Sequence, residues 1–232
     1  MLKKLKTWIF RKKVKAVVFD YDGVLNDSLT IIKDLYNEFY KRGITNLYFK
    51  DDQEFTDFFE GDIWKNMEAA GMKVNKENKD LCNTVVKEVL ATSDPKVRFF
   101  EGIDGLLLKL KDEGYKIGIA SNGNREIIIS KLKSYGLDSV VDSVIGYEQV
   151  SKPKPSPEGL LKCLEELGVK PGNALYVGDM ESDIRAAKAA GVKIIAVTYG
   201  YLKLKKDIDE QLKDADIIAN NASEVYERIK NG

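Results

Sequence analysis

Ile103-Asp-Gly-Leu-Leu-Leu-Lys-Leu-Lys-Asp-Glu-Gly-Tyr-Lys-Ile-Gly-Ile-Ala-Ser-Asn122 is the stretch that sets the pattern of this chain. Ile103, Leu106, Leu107 and Leu110 fall on one helical face, Gly114 closes the helix, and Lys116–Ala120 is an apolar run of strand length. The unit then repeats. A helix around Arg125–Tyr135 stops at Gly136 ahead of a strand at Val140–Ile145. Ser156 and Pro157 read as the N-cap and first residue of a helix running to Leu167, with Gly168 after it and a strand at Ala174–Val177. Ile184–Ala190 ends at Gly191 and leads to Ile194–Val197, and Asp216–Ala219 is a last strand before a C-terminal helix. Strands alternating with helices at this spacing predict right-handed crossovers and an α/β, Rossmann-like, mostly parallel sheet.

Working upstream, Val14–Phe19 is the first strand, apolar except for Lys15. Between it and the repeat lies a stretch of different character, roughly residues 29–97. It is rich in aromatics and charges, and helical spacing dominates: Tyr36, Phe39, Phe55, Phe58, Phe59 and Trp64, then a one-sided helix through Leu81, Val85, Val86 and Val89. Such stripes are usually packing surfaces. The expected organisation is therefore a core of residues 14–28 and 98–232, a helical cap of residues 29–97 above it, and a basic segment, 1–13, in front. The segment Phe59-Glu60-Gly61-Asp62-Ile63-Trp64-Lys65 suits either a cap loop dipping towards the core or an ordinary helix start.

Composition narrows the function. The 232 residues suffice for one core plus a small inserted domain. Lys plus Arg equals Asp plus Glu at 37 each, so bulk charge points to neither nucleic acid nor an anionic membrane. No apolar run approaches the roughly 18 residues that span a bilayer, and the basic start lacks the central apolar run of a secretory signal. The two cysteines, Cys82 and Cys163, read as reduced thiols of a cytoplasmic protein. Histidine is absent, which excludes Ser-His-Asp and Cys-His catalysis within this chain.

In an open parallel sheet, ligands gather at the carboxyl ends of the strands. Here those ends are Asp20-Tyr21-Asp22-Gly23, Ser121-Asn122-Gly123, Ser151-Lys152-Pro153-Lys154-Pro155 and Gly178-Asp179-Met180-Glu181-Ser182-Asp183. Singly, each has an ordinary reading: a turn, a helix cap, a solvated lysine. Jointly, they place two acidic clusters, a hydroxyl and a lysine on one rim.

These four motifs, with Val24-Leu25 completing the first, resemble the haloacid dehalogenase superfamily of hydrolases, in its phosphoglycolate-phosphatase-like branch with a helical cap. The resemblance spans about residues 14 to 220. It implies a Mg²⁺-dependent phosphatase acting on a small phosphorylated metabolite (phosphoglycolate, a sugar phosphate or a nucleotide) through an aspartyl-phosphate intermediate. Asp20 would be the nucleophile and a metal ligand, and Asp179 a second ligand. Asp22 would contribute its backbone carbonyl to the metal, and Asp183 would hold a metal-bound water or orient Asp179. Ser121 and Asn122 would bind the phosphoryl group. Lys152 would place a charge on the same oxygens and on Asp20; Lys154, which also precedes a proline, is its rival, and the family's lysine-proline-x-proline pattern favours Lys152.

Elementary chemistry agrees with that implication. A carboxylate approaching a phosphate monoester is repelled by it, and a divalent cation held by hard oxygen ligands removes the repulsion. The Asp22 side chain can protonate the leaving alkoxide and later take a proton from water. Dehalogenating members of the superfamily lack an aspartate there. A phosphomutase resembling β-phosphoglucomutase is the alternative within the superfamily, although such enzymes typically carry Glu-Asp at the last motif. A non-catalytic binding or regulatory protein is the alternative of another class.

Overall fold

A computed structural model describes residues 14–60, 63–93, 98–204 and 208–231. The basic segment 1–13 and the centre of the anticipated cap loop, Gly61 and Asp62, lie outside the described residues. In chain order the elements are β1 (Ala16–Phe19), β2 (Asn26–Asp27), α1 (Leu29–Lys41), α2 (Asp52–Phe58), α3 (Ile63–Ala69), α4 (Lys76–Ser93) and β3 (Arg98–Phe99). Then follow α5 (Ile103–Asp112), β4 (Lys116–Ala120), α6 (Arg125–Ser134), β5 (Ser143–Ile145), α7 (Glu158–Leu167) and β6 (Ala174–Gly178). The chain closes with α8 (Glu181–Ala190), β7 (Lys193–Val197), α9 (Ile208–Leu212), β8 (Ile217–Ala219) and α10 (Ala222–Asn231).

Six strands form one sheet in the order β5-β4-β1-β6-β7-β8, and every pairing is parallel. Period-two alternation sends Val17, Phe19, Ile117 and Ile119 to the face covered by α5, α6 and α10. Ala16, Val18 and Tyr176 go to the face covered by α7 and α8. Both faces are buried, as an all-parallel sheet requires. The chain order reverses beside β1, which puts the carboxyl ends of β1, β4 and β6 side by side.

The remaining helices, α1 to α4, form a third cluster of their own. Leu35, Tyr36, Phe39, Phe55, Met67 and Val85 are buried in it, joined by Met180 and Tyr201 from the loops of the sheet. The Tyr36 ring meets Phe39, Phe49, Phe55 and Phe58 with centroids between 5.3 and 6.3 Å. Around Tyr36 the aromatic stripe is packing.

Local departures from the sequence expectation have identifiable causes. β5 starts at Ser143, not Val140, because the Asp142 carboxylate takes the Ile117 N–H at 2.9 Å where a strand carbonyl would otherwise sit. α7 begins one residue late, with Pro157 as its N-cap and Ser156 Oγ accepting the Glu158 N–H. β2 and β3 form a two-residue antiparallel ladder where the chain leaves the core for the helices and returns. Cys82 and Cys163 are buried and free. Among the described residues no helix is long and apolar enough to cross a membrane.

Candidate active site

β1 delivers Asp20 to the rim, with its N–H bonded to Val177 O at 2.8 Å. β6 delivers Asp179 two residues beyond that carbonyl, and the first turn of α8 folds Asp183 back beneath it. Asp179 and Asp183 are wholly buried, and Asp20 is 7% exposed. Carboxyl oxygens of the three lie within 4.8 Å of one another.

Lys154 is the cation at this cluster. Its Nζ is 2.7 Å from Asp20 Oδ1 and 2.7 Å from Asp183 Oδ1. The contact to Asp183 has hydrogen-bond geometry, whereas that to Asp20 is an ion pair without it. Lys152, the expected lysine, is exposed, and its backbone N–H donates to Glu158. The assignment is corrected to Lys154. The reason is register: lysine-proline-x-proline fits both Lys152-Pro153-Lys154-Pro155 and Lys154-Pro155-Ser156-Pro157, and only the second lysine is turned inward.

Asp183 spends both oxygens on structure. Oδ1 accepts from Lys154 and from the Tyr176 hydroxyl, and Oδ2 accepts the N–H groups of Asp179 and Met180 at 3.1 and 3.0 Å. It therefore orients the Asp179 turn, one of the two roles its motif allowed. Asp179 Oδ2 accepts the Tyr201 N–H at 2.7 Å, while Oδ1 is buried with no hydrogen-bond partner. Two glycines make room for it. Gly23, at φ +83°, and Gly200 both sit where a Cβ would overlap the Asp179 carboxylate.

The other groups complete the rim. Asp22 Oδ1 accepts the Ser28 hydroxyl at 2.6 Å, and Ser28 Oγ is 2.8 Å from the Tyr201 hydroxyl. Ser121 is buried, its Oγ accepting the Gly123 N–H at 3.0 Å, and Asn124 is the residue that caps α6. Asn122 was expected to bind phosphate. Its side-chain amide brackets the Lys154 backbone, accepting from Lys154 N–H at 2.8 Å and donating to Lys154 O at 3.3 Å, so it presents the lysine.

The electrostatics are those of a site short of positive charge. Burial, with Asp183 nearby, pushes Asp20 up to about 7 against the pull of Lys154. Burial, then Asp183 and Asp20, carries Asp179 well above the usual carboxylate range. Burial also raises Asp22, opposed by the Ser28 hydrogen bond. Burial alone would lower Lys154, yet Asp183 and Asp20 hold it above an ordinary lysine. Ionised together, the three buried carboxyl groups would face one ammonium and leave two negative charges to be compensated. An all-oxygen donor set with that deficit, and an unpartnered Asp179 Oδ1 within it, fits a hard divalent cation.

The haloacid dehalogenase-like hydrolase family matches residues 17–197, from β1 through β7. The chain belongs to this family. Among curated relatives, the phosphoglycolate phosphatase of Aquifex aeolicus is 29% identical over 85% of this chain and 91% of its own. The pyrophosphatase PpaX of Bacillus cereus is 30% identical over 81% and 84%. A solved structure from Lactobacillus plantarum shares the fold with a TM-score of 0.79 at 24% identity, covering 93% of this chain and 99% of that one.

For a member of this family, sequence reading missed Tyr176, Ser28 and Tyr201. Tyr176 read as strand core, yet its hydroxyl lies 3.1 Å from Ala120 O and 3.2 Å from Lys154 Nζ. A tyrosine in an otherwise aliphatic buried strand was the one available signal. Ser28 and Tyr201 carried none, because they meet only across 173 positions.

Proposed function

We propose that this chain is a Mg²⁺-dependent phosphatase that hydrolyses a small phosphorylated metabolite through a phosphoryl-enzyme intermediate on Asp20. The observation that carries the reading is the convergence of Asp20, Asp179 and Asp183 within 4.8 Å, with Asp179 Oδ1 buried and unpartnered. Asp20 and Asp179 would hold the ion, with the Asp22 carbonyl as a further ligand by family resemblance. When bound, the ion supplies charge neutralisation between an anionic nucleophile and an anionic ester.

Everything else falls to the chain's own side chains. Asp20 attacks phosphorus, forming the Asp20–phosphorus bond as the ester oxygen departs. Asp22, raised by burial, carries a proton to the departing alkoxide and then takes one from the water that attacks the acyl phosphate. Ser28 holds the Asp22 carboxyl by its 2.6 Å hydrogen bond. Lys154 steadies Asp20 and, through Asp183, fixes the turn that presents Asp179. The Ser121 hydroxyl, buried at the end of β4, is the group available to a phosphoryl oxygen. Homologous names for a phosphoglycolate phosphatase and a pyrophosphatase agree with phosphoryl hydrolysis without fixing the leaving group.

Asp20→Asn should reduce turnover of any phosphate ester by at least about 10³-fold while leaving the folded spectrum intact, since it removes the covalent step. A folded Asp20→Asn protein that keeps substantial magnesium-dependent activity would refute the intermediate.

A further inference from the structure

Above the rim is a cavity of about 480 Å³, floored by Asp20, Asp22, Ser121 and Lys154 and roofed by the cap. The roof is apolar. Ile32, Leu35, Ile63, Trp64, Val86 and Val89 line it, from α1, α3 and α4. All but Leu35 are only partly buried although they pack on the cap's aromatic cluster, so apolar surface is left facing the cavity. A concave apolar wall opposite a polar floor is what a ligand with one charged and one apolar end would fill.

Of the described cations that line the cavity, the one on the floor is buried and the others are not. Among the described residues lining it the cations are Lys154, Lys87 and Lys131. Lys154 is committed to Asp20 and Asp183. Lys87 is exposed to solvent, and the Lys131 ammonium lies 5.3 Å from the centre of the Tyr135 ring. Asn83, the uncharged polar side chain that α4 adds beside Lys87, accepts a hydrogen bond from the Tyr147 hydroxyl at 2.9 Å. A carboxylate or a second phosphate enclosed against this wall would lose its water without a buried cation to replace it, at a cost the wall cannot return.

We infer that the leaving group accepted here is uncharged and apolar: the substrates are phosphate monoesters of apolar alcohols, in preference to phosphoglycolate or pyrophosphate. This rests on the phosphatase reading above and narrows its substrate class. It sets the chain apart from the substrates in the names of relatives that are about 30% identical to it.

The test compares 2-phenylethyl phosphate, phosphoglycolate and pyrophosphate. The first two release primary alkoxides, so their difference reports mainly recognition. With Mg²⁺ and the Asp20→Asn protein as a trap, calorimetric titration should show 2-phenylethyl phosphate binding at least about tenfold more tightly than either other ligand. In the wild-type enzyme, kcat/KM should follow the same order by a similar factor. Val86→Arg, placing a cation at an apolar position of the wall, should shift the ratio towards phosphoglycolate by about tenfold. Equal or better binding and turnover of phosphoglycolate or pyrophosphate by the wild type would overturn the inference and leave a phosphatase. Tight 2-phenylethyl phosphate binding with no turnover of any of the three would strike the phosphatase reading and uphold the ligand preference.

Discussion

Lys152 and Lys154 stand two positions apart, and their surroundings assign them opposite fates. Lys152→Ala changes an exposed side chain and should leave kcat within about twofold of wild type. Lys154→Met leaves Asp20 and Asp183 without their ammonium; it should lower kcat at least about 10²-fold and, in the metal-free protein, cost about 3–5 kcal/mol of stability. Steady-state kinetics and denaturant unfolding in EDTA check both. The sequence contained the motif in two overlapping registers, and the pattern was read in the one that favours Lys152. Which lysine points inward depends on the Asn122 clamp and on buried carboxylates from other strands, and no local pattern encodes those.

Asp20 gives a second prediction at this scale. Its folded value of about 7 stands above the ordinary 3.8, so between those limits the folded chain holds a proton that the unfolded chain has released. Its contribution to stability is therefore present at low pH and lost as pH rises through 7. Metal-free protein should show a larger melting-temperature gain on going from pH 8 to pH 6 than the Asp20→Asn protein does. An identical gain in the two would contradict the burial of this carboxyl as a strained anion. Divalent cation should stabilise the wild type most at pH 8, where the site carries most negative charge.

At the scale of elements, the β6–α8 turn and the Gly200–Tyr201 turn after β7 close on Asp179 from two sides. Gly200→Ala would drive a methyl group into Gly23 O and the Asp179 carboxylate, so it should destabilise the protein by about 1–3 kcal/mol and weaken magnesium binding together. Thermal unfolding with and without Mg²⁺ separates the two effects. Wild-type metal affinity in a destabilised Gly200→Ala protein would mean the turn supports the fold without shaping the site. The strands themselves were legible, since short apolar runs after helix-stopping glycines leave few alternatives. Their edges were less so. β5 lost its first residues because Asp142 mimics a strand carbonyl, and a side chain capping a strand looks in sequence like any loop aspartate. The two-residue β2–β3 ladder at the crossing into the cap is too short to have a period at all.

Across the whole molecule, the sheet order brings the carboxyl ends of β1, β4 and β6 together, and the helical insert stands over them. A parallel sheet with polar strand ends on one rim was expected from the βαβ pattern, and a helical insert from a change in composition near residue 29, but the strand order was not. Nor was the cavity, because its roof is shared among three cap helices whose relative placement is fixed by a cluster of rings around Tyr36. Motif spacing pointed to the carboxylate cluster, and only tertiary packing placed the apolar wall above it.

The claim beneath all of this is that Asp20 and Asp179 share one divalent cation. Titration calorimetry of Mg²⁺ into the wild-type and Asp179→Asn proteins at pH 8 measures it directly. One ion per wild-type chain is predicted, with affinity at least about tenfold weaker, or binding lost, in the variant. A folded Asp179→Asn protein that binds Mg²⁺ as tightly as wild type would contradict it.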